Sequence, residues 1–263
     1  MTTNADIIAF LDQFAPANLA ESWDNVGLLL GDRNASVNSV MTCLTLTPNV
    51  AQEAVDANAD LIVSHHPILF RSVQRITTDN SEGAMLLKLI DSSIAVFSPH
   101  TRYDSASAGI NHQLASLLKL ANIGVLRPLD ESEGHEGAGR FGDLADNISL
   151  SEFNERVKQA LGITNLQYVG AADKTIRRVG IACGAAAEFL TDAKKAGCDA
   201  LLTGEARFHA CLEAEQLDMA MVLPGHYATE RPAMEYLVDV LGQQFLDLTI
   251  WSSNTEYDPL RWS

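Results

Sequence analysis

The chain has 263 residues, enough for one large domain or two smaller ones with cores of their own. Hydrophobic residues make up 47% and charged ones 20%, which excludes the disordered and fibrous classes. A formal charge of -16 and a sequence pI near 4.7 disfavour nucleic acid and anionic membranes as partners, because both bind by releasing counterions to lysine and arginine.

The opening stretch, MTTNADIIAFLDQFAPANLAESWDN, has no basic leader, and Asp12 interrupts its apolar run, so it reads as a capped amphipathic helix. SVMTCLTL reads as a strand, and Thr47 before Pro48 marks the cap and first turn of a helix running to about Ala57. DLIVS is a short buried strand that runs straight into His65, His66 and Pro67. A leucine-rich helix near 83–90 and the strand IAVFS follow, then SPHTRYD with His100 and Asp104, then a helix in INHQLASLLKL. The middle segment DESEGHEGAGRFGDL is rich in glycine and acid and reads as a loop or boundary. A capped helix in SLSEFNERVKQAL comes next, and the region to about Lys174 reads as an insertion.

The second half then repeats the order of the first. IRRVGIACG is a strand, AAAEFLTDAKKAG a helix ended by Gly197, DALLT a strand and ARFHACLEAEQL a helix. The strand MAMVLP delivers His226 and Glu230 ahead of a helix carrying MEYLVDVLGQQF. Such alternation indicates β-α-β units and mainly parallel sheet. NADLIVSHH also parallels GCDALLTGE. The expected fold is α/β, with two similar, closely packed α/β domains from an internal duplication. The expected halves are 1–127, carrying His65, His66 and Asp104, and 128–263, carrying His226 and Glu230, with elements free to exchange across the boundary.

In parallel α/β sheets, residues just past the carboxyl ends of strands converge on a crevice where ligands bind. His65, His66, His100, Asp104, His226 and Glu230 all fall at such ends. Imidazoles and carboxylates form a mixed donor set suited to zinc, manganese, iron or nickel, unlike the thiolates of a structural zinc site. The set is too large for one catalytic metal with an open position; two metals roughly 3.5 to 4 Å apart would use it economically. Their expected place is the cleft between the two domains. Plainer readings stand beside this one. The two adjacent histidines suit a polar loop, His226 and Glu230 the first turn of a helix, and Asp104 the cap of a helix near Ala108.

Other residues point less clearly to chemistry. His209 either lines the same cavity or packs a helix against the core, and His112 and His135 read as solvated. Trp23 and Asp24 read as structural, with Asn25 and Gly27 shaping a turn ahead of LLL. Cys43, Cys183, Cys198 and Cys211 are far apart and form no C-x-x-C pair, which suits free buried thiols in a reducing cytoplasm. No apolar run reaches the 18 to 20 or so residues of a membrane span. Phosphate-loop, dinucleotide and nucleophile-elbow glycine motifs are all missing, which argues against P-loop, dinucleotide-redox and serine-hydrolase chemistry.

The stretches ESWDNVGLLLGD, LIVSHHPILF, PHTRYDSASAGINHQLA, TGEARFH and GHYATERPAMEYL together resemble the GTP cyclohydrolase 1 type 2 homologues, also described as dinuclear-metal-centre proteins. The resemblance covers almost the whole chain in order. It implies two α/β domains around two divalent ions per subunit and a ring-shaped homohexamer, or toroid. It also implies His65, His66, Asp104, His226 and Glu230 as ligands, with His100 beside the metals as a proton-handling group. Arg102 and Tyr103 stand where family members often carry asparagine and leucine, which bears on substrate preference. The expected activity is a metal-dependent hydrolase acting on a small molecule or nucleotide through an activated water. The competing reading is a metal-handling or regulatory protein without turnover.

Overall fold

The computed structural model describes residues 1–129 and 134–262; the start of the expected loop, residues 130–133, lies outside the described residues. Along the chain, Thr3 caps α1 (Asn4–Phe14) in a capping box with Asp6, and β1 (Gly27–Leu30) and β2 (Ser39–Cys43) follow. Thr47 accepts from the Val50 N–H to start α2 (Pro48–Asp56), as its spacing predicts. Then come β3 (Leu61–Ser64), α3 (Ser81–Asp91), β4 (Ala95–Ser98) and α4 (His100–Ser105). Next are α5 (Ile110–Leu117), β5 (Ala121–Pro128), β6 (Gly137–Ser149) and α6 (Leu150–Leu161), the last opened by a Ser149–Glu152 capping box. The remainder runs β7 (Gln167–Val169), β8 (Thr175–Ala182), α7 (Leu190–Lys195), β9 (Ala200–Thr203), α8 (Phe208–Gln216), β10 (Ala220–Leu223), α9 (His226–Glu230), α10 (Pro232–Gln244) and β11 (Thr249–Ser252).

The chain forms two compact units, Met1–Tyr103 with Ala233–Pro259, and Asp104–Pro232 with Leu260–Ser263. In the first, a five-stranded sheet has the order β1-β4-β3-β2-β11. Its four strands β4, β3, β2 and β11 are parallel and β1 is antiparallel at the edge. Met41, Ile62 and Val96 of this sheet pack with Val50 and Ala54 of α2 and Leu86 and Leu89 of α3, all with 0 to 1% of their surface exposed. In the second unit a six-stranded sheet has the order β5-β6-β8-β9-β10-β7, with β8, β9 and β10 parallel and the flanking pairs antiparallel. Successive residues of β9 serve opposite faces. Leu202 packs with Phe153 and Val157 of α6, and Leu201 packs with Leu190 and Ala193 of α7.

The duplication is legible in the hydrogen bonds of each unit. Asp60 Oδ2 accepts from the backbone N–H groups of Asn38 and Ser39, and Asp199 Oδ2 accepts from those of Arg177 and Arg178. The Ala95 N–H donates to the Asp60 carbonyl, as the Ala220 N–H does to that of Asp199. Asn58 and Gly197, at the same place before these aspartates, both have positive φ, 52° and 75°. Both copies therefore end a helix, reverse, and hold the strand that precedes that helix with one carboxylate. In this register His66 corresponds to Glu205, and Leu44 to Cys183.

Two expectations differ from what is seen. The units do not divide near residue 127. The chain leaves the first unit after Tyr103, so Asp104 belongs to the second, and it returns at Ala233 because β11 pairs with β2. The supposed loop over 134–144 is largely β6, which pairs with β5 on one side and β8 on the other. Within β6, Asp143 receives hydrogen bonds from Arg178, Nε at 2.7 Å, and from Asn122. Arg178 above all, then Asn122, hold its carboxyl at about 2, below the ordinary 3.8. Because the folded pKa is depressed, this contribution to stability is full above about pH 4 and is lost as pH falls toward 2. We expect Asp143→Asn to flatten the fall of the urea midpoint across that window; an unchanged slope would contradict the pairing.

Candidate metal centre

His65 and His66 follow the end of β3 in the first unit and His226 and Glu230 the end of β10 in the second, while Asp104 lies in α4 where the second unit begins. In the first unit β3 ends at Ser64, and the His65 and His66 backbone N–H groups donate to the carbonyls of Cys43, the last residue of β2, and Leu44, the residue after it. The Ser98 hydroxyl donates to the His65 carbonyl at 2.7 Å and the Ser64 hydroxyl to that of His66 at 2.8 Å. These bonds fix two adjacent histidines in a turn that would otherwise be free to wag. The His66 Nδ1 pairs with the Thr45 hydroxyl at 2.7 Å. His100 begins α4 at φ 34°, a left-handed conformation that costs on the order of 1 kcal/mol or more for a non-glycine residue. The Asp24 carboxylate, bonded to its ring and to the following Thr101 N–H, holds it there. Ring nitrogens of His65, His66 and His100 lie within 4.8 Å of one another, close enough to share a metal ion.

Asp24 is what orients His100. Its fully shielded carboxylate meets His100 Nδ1 at 2.8 Å and accepts from the Thr101 backbone and hydroxyl. Burial works against its ionisation, but the hydrogen bonds from His100 and Thr101 prevail and bring its pKa to about 2. An ionised partner fixes the ring's orientation. The structural reading of Asp24 is thus too narrow, and the motif gave no sign of this because its partner lies 76 residues away.

In the second unit β10 ends at Leu223, and Gly225 at φ 111° turns the chain into α9. His226 and Glu230 lie one turn apart, with Nε2 3.0 Å from Glu230 Oε2 and Nδ1 3.0 Å from Glu205 Oε1. Glu230 foremost, with Glu205, raises the His226 pKa to about 9. Glu205, unremarked apart from its place in the repeat, is a second partner of His226. Asp104, the first residue of this unit, accepts from the Cys183 thiol at 3.5 Å and does not cap α5, whose cap is Gly109. Asn111, 3% exposed, joins the two ends by donating to the Asp104 carbonyl and accepting from the Cys183 N–H. Burial, then the negative charges of Asp104 and Glu230, push the Cys183 thiol well up, so its setting is acidic rather than apolar.

Space at this end is kept by Gly184. A Cβ there would lie 2.2 Å from Glu230 Oε1 and 3.3 Å from His226 Nε2. Imidazole and carboxylate donors held by outer hydrogen bonds are the chemistry a divalent transition ion takes, so the residues of each unit fit such a group. Other histidines are elsewhere. His209 is exposed on α8 rather than packed in the core, His112 is half-buried rather than solvated, and His135 is exposed as expected.

The model of the Duf34/NIF3 (NGG1p interacting factor 3) family matches residues 2–259. The chain is 34% identical to a Clostridium acetobutylicum protein named GTP cyclohydrolase 1 type 2 homolog, with 97% of each covered. It is also 34% identical to the Schizosaccharomyces pombe protein NIF3 homolog, over 92% of this chain and 91% of that one. Among solved structures, Staphylococcus aureus protein SA1388 superposes with a TM-score of 0.91 at 26% identity, covering 100% of this chain and 99% of that one.

Proposed function

The chain belongs to the Duf34/NIF3 family, and from that premise we propose that it is a dinuclear metal-binding protein and a metal-dependent hydrolase. His65, His66, Asp104, His226 and Glu230 hold two divalent ions per subunit, of zinc, manganese, iron or nickel type. The observation that carries this reading is the trio of nitrogens of His65, His66 and His100 within 4.8 Å, with the His65 and His66 backbones fixed by hydrogen bonds and the His100 ring held by Asp24. When bound, such an ion pair supplies an acidified water and polarises an oxygen of the substrate.

The chain's own residues do the rest. Asp24, by taking the Nδ1 side of His100, directs the other ring nitrogen to proton transfer. Glu205 holds the Nδ1 side of His226 and turns its Nε2 toward Glu230, and Asn111 fixes the backbone on which Asp104 is carried. The substrate is a small molecule or a nucleotide; GTP enters only through the name of the relatives. Assembly as a homohexamer in the cytoplasm is part of the same proposal. Among the described residues no helix is long and apolar enough to cross a membrane.

Metal-reconstituted protein assayed against GTP, phosphodiesters and small cyclic amides tests the hydrolase reading. The expected result is turnover of one class that disappears in Glu230→Ala. Turnover no higher than in that variant, with metal bound to the wild type, would leave a metal-handling protein in place of an enzyme.

A further inference from the structure

Two large aromatic side chains of the first unit stand in solvent beside the histidine trio. Trp23 is 62% exposed and Phe70 52% exposed. Their ring centroids are 6.1 Å apart, and they lie 6.2 and 6.4 Å from the His100 ring. All three contacts are edge-to-face, at 75°, 78° and 86°, so no two of these rings stack on each other, and much of Trp23 and Phe70 stays open to solvent.

Exposed rings on a loose loop would mean little, but these are tethered. The Glu21 N–H donates to the Thr101 hydroxyl, and Thr101 in turn donates to Asp24, the residue after Trp23. The Asn25 side-chain amide donates to the Leu69 carbonyl at 2.9 Å, which fixes the residue before Phe70. Leu69 itself is held at φ 55°, an unfavourable conformation for a branched side chain. The three consecutive residues Trp23, Asp24 and Asn25 thus divide the work: one ring in solvent, one carboxylate on His100, one amide on the Phe70 turn. Local strain spent to present apolar surface at a candidate centre points to a ligand.

We propose that Trp23 and Phe70 form an aromatic corner, one ring offering its face and the other its edge, for a planar heteroaromatic ring of the molecule that binds at the histidine trio. This inference rests on the metal-centre reading and adds to it the class of ligand. Size separates this occupant from a second protein chain. The exposed parts of these two side chains offer at most about 300 Å² between them, enough to cover one ring system but well under the roughly 800 Å² per partner of a stable protein interface.

The test uses the full chain loaded with zinc, with GMP as the ring-bearing probe and ribose 5-phosphate as its ringless counterpart, both titrated by calorimetry. Trp23→Leu and Phe70→Leu are expected each to weaken GMP binding by about tenfold, the scale of base stacking on an aromatic side chain, while ribose 5-phosphate binding and zinc content stay unchanged. Phe70→Tyr, which keeps a ring, should restore the affinity. Failure of the wild type to bind GMP, or equal weakening of both probes, overturns the aromatic corner. So does loss of the oligomer in the leucine variants by light scattering, which would assign the rings to an interface between copies. Zinc content measured on the same samples separates these failures from a failure of the metal centre, in which the wild type itself would hold no zinc.

Discussion

Glu230→Ala and Asp104→Ala should each strip metal from the protein while leaving it folded. Glu230 is 4% exposed, yet it is packed against the open backbone of Gly184 and the His226 ring rather than into an apolar core. Its removal leaves a small polar space that water can fill, so the cost in stability is modest. The cost in metal binding is not. Changes to residues that merely orient ligands lower metal affinity about 10- to 100-fold, and loss of a carboxylate donor should exceed that. Elemental analysis of the purified variants, with circular dichroism as the control for folding, reads the effect directly. Metal content equal to that of the wild type in both variants would contradict their assignment.

The largest expected loss of stability is at Arg140, which is 1% exposed and carries its charge into the second unit. Its guanidinium donates to the carbonyls of Gly137, Gly139, Ser105, Ala106 and His135, at 2.7 to 3.3 Å. Burial lowers its pKa to about 10, which still leaves it charged at neutral pH. Arg140→Leu orphans these carbonyls together, and we expect a loss of about 3 to 5 kcal/mol in denaturant unfolding. Arg140→Lys, whose ammonium has fewer donors and no planar fork, should recover only part. Because Ser105 and Ala106 directly follow Asp104, the leucine variant should also bind metal more weakly. A loss under about 1 kcal/mol would show that water replaces these bonds and that the arginine is not a structural tie.

The parts of the fold readable in sequence were those with local causes. Thr47 with Pro48 and Ser149 with Glu152 mark helix starts by their own side chains, and DLIVS and DALLT are short apolar runs that become the buried β3 and β9. The β5–β6 pair was hidden because glycine there answers to a distant neighbour. A Cβ on Gly124 would meet the Phe141 ring at 2.4 Å, so the residue that looks like a turn signal is a strand residue making room across the ladder. β11 was missed for a similar reason, since TIWS gains its pairing from β2, more than 200 residues earlier.

At the candidate centre the same division holds. The strand-end histidines and carboxylates stand out by position, whereas Asp24 and Asn111 act through partners remote in sequence. Glu205 alone left a trace, because the repeat sets it where the first copy has His66.

His65, His66, Asp104, His226 and Glu230 are proposed to hold one pair of divalent ions. Diffraction from zinc-loaded crystals, recorded on either side of the zinc absorption edge, tests it without reliance on activity. Two anomalous peaks per chain are expected, at about 2.0 to 2.2 Å from nitrogen or oxygen atoms of His65, His66, Asp104, His226 and Glu230. Peaks that avoid these five side chains, or none in crystals grown with excess zinc, would contradict it.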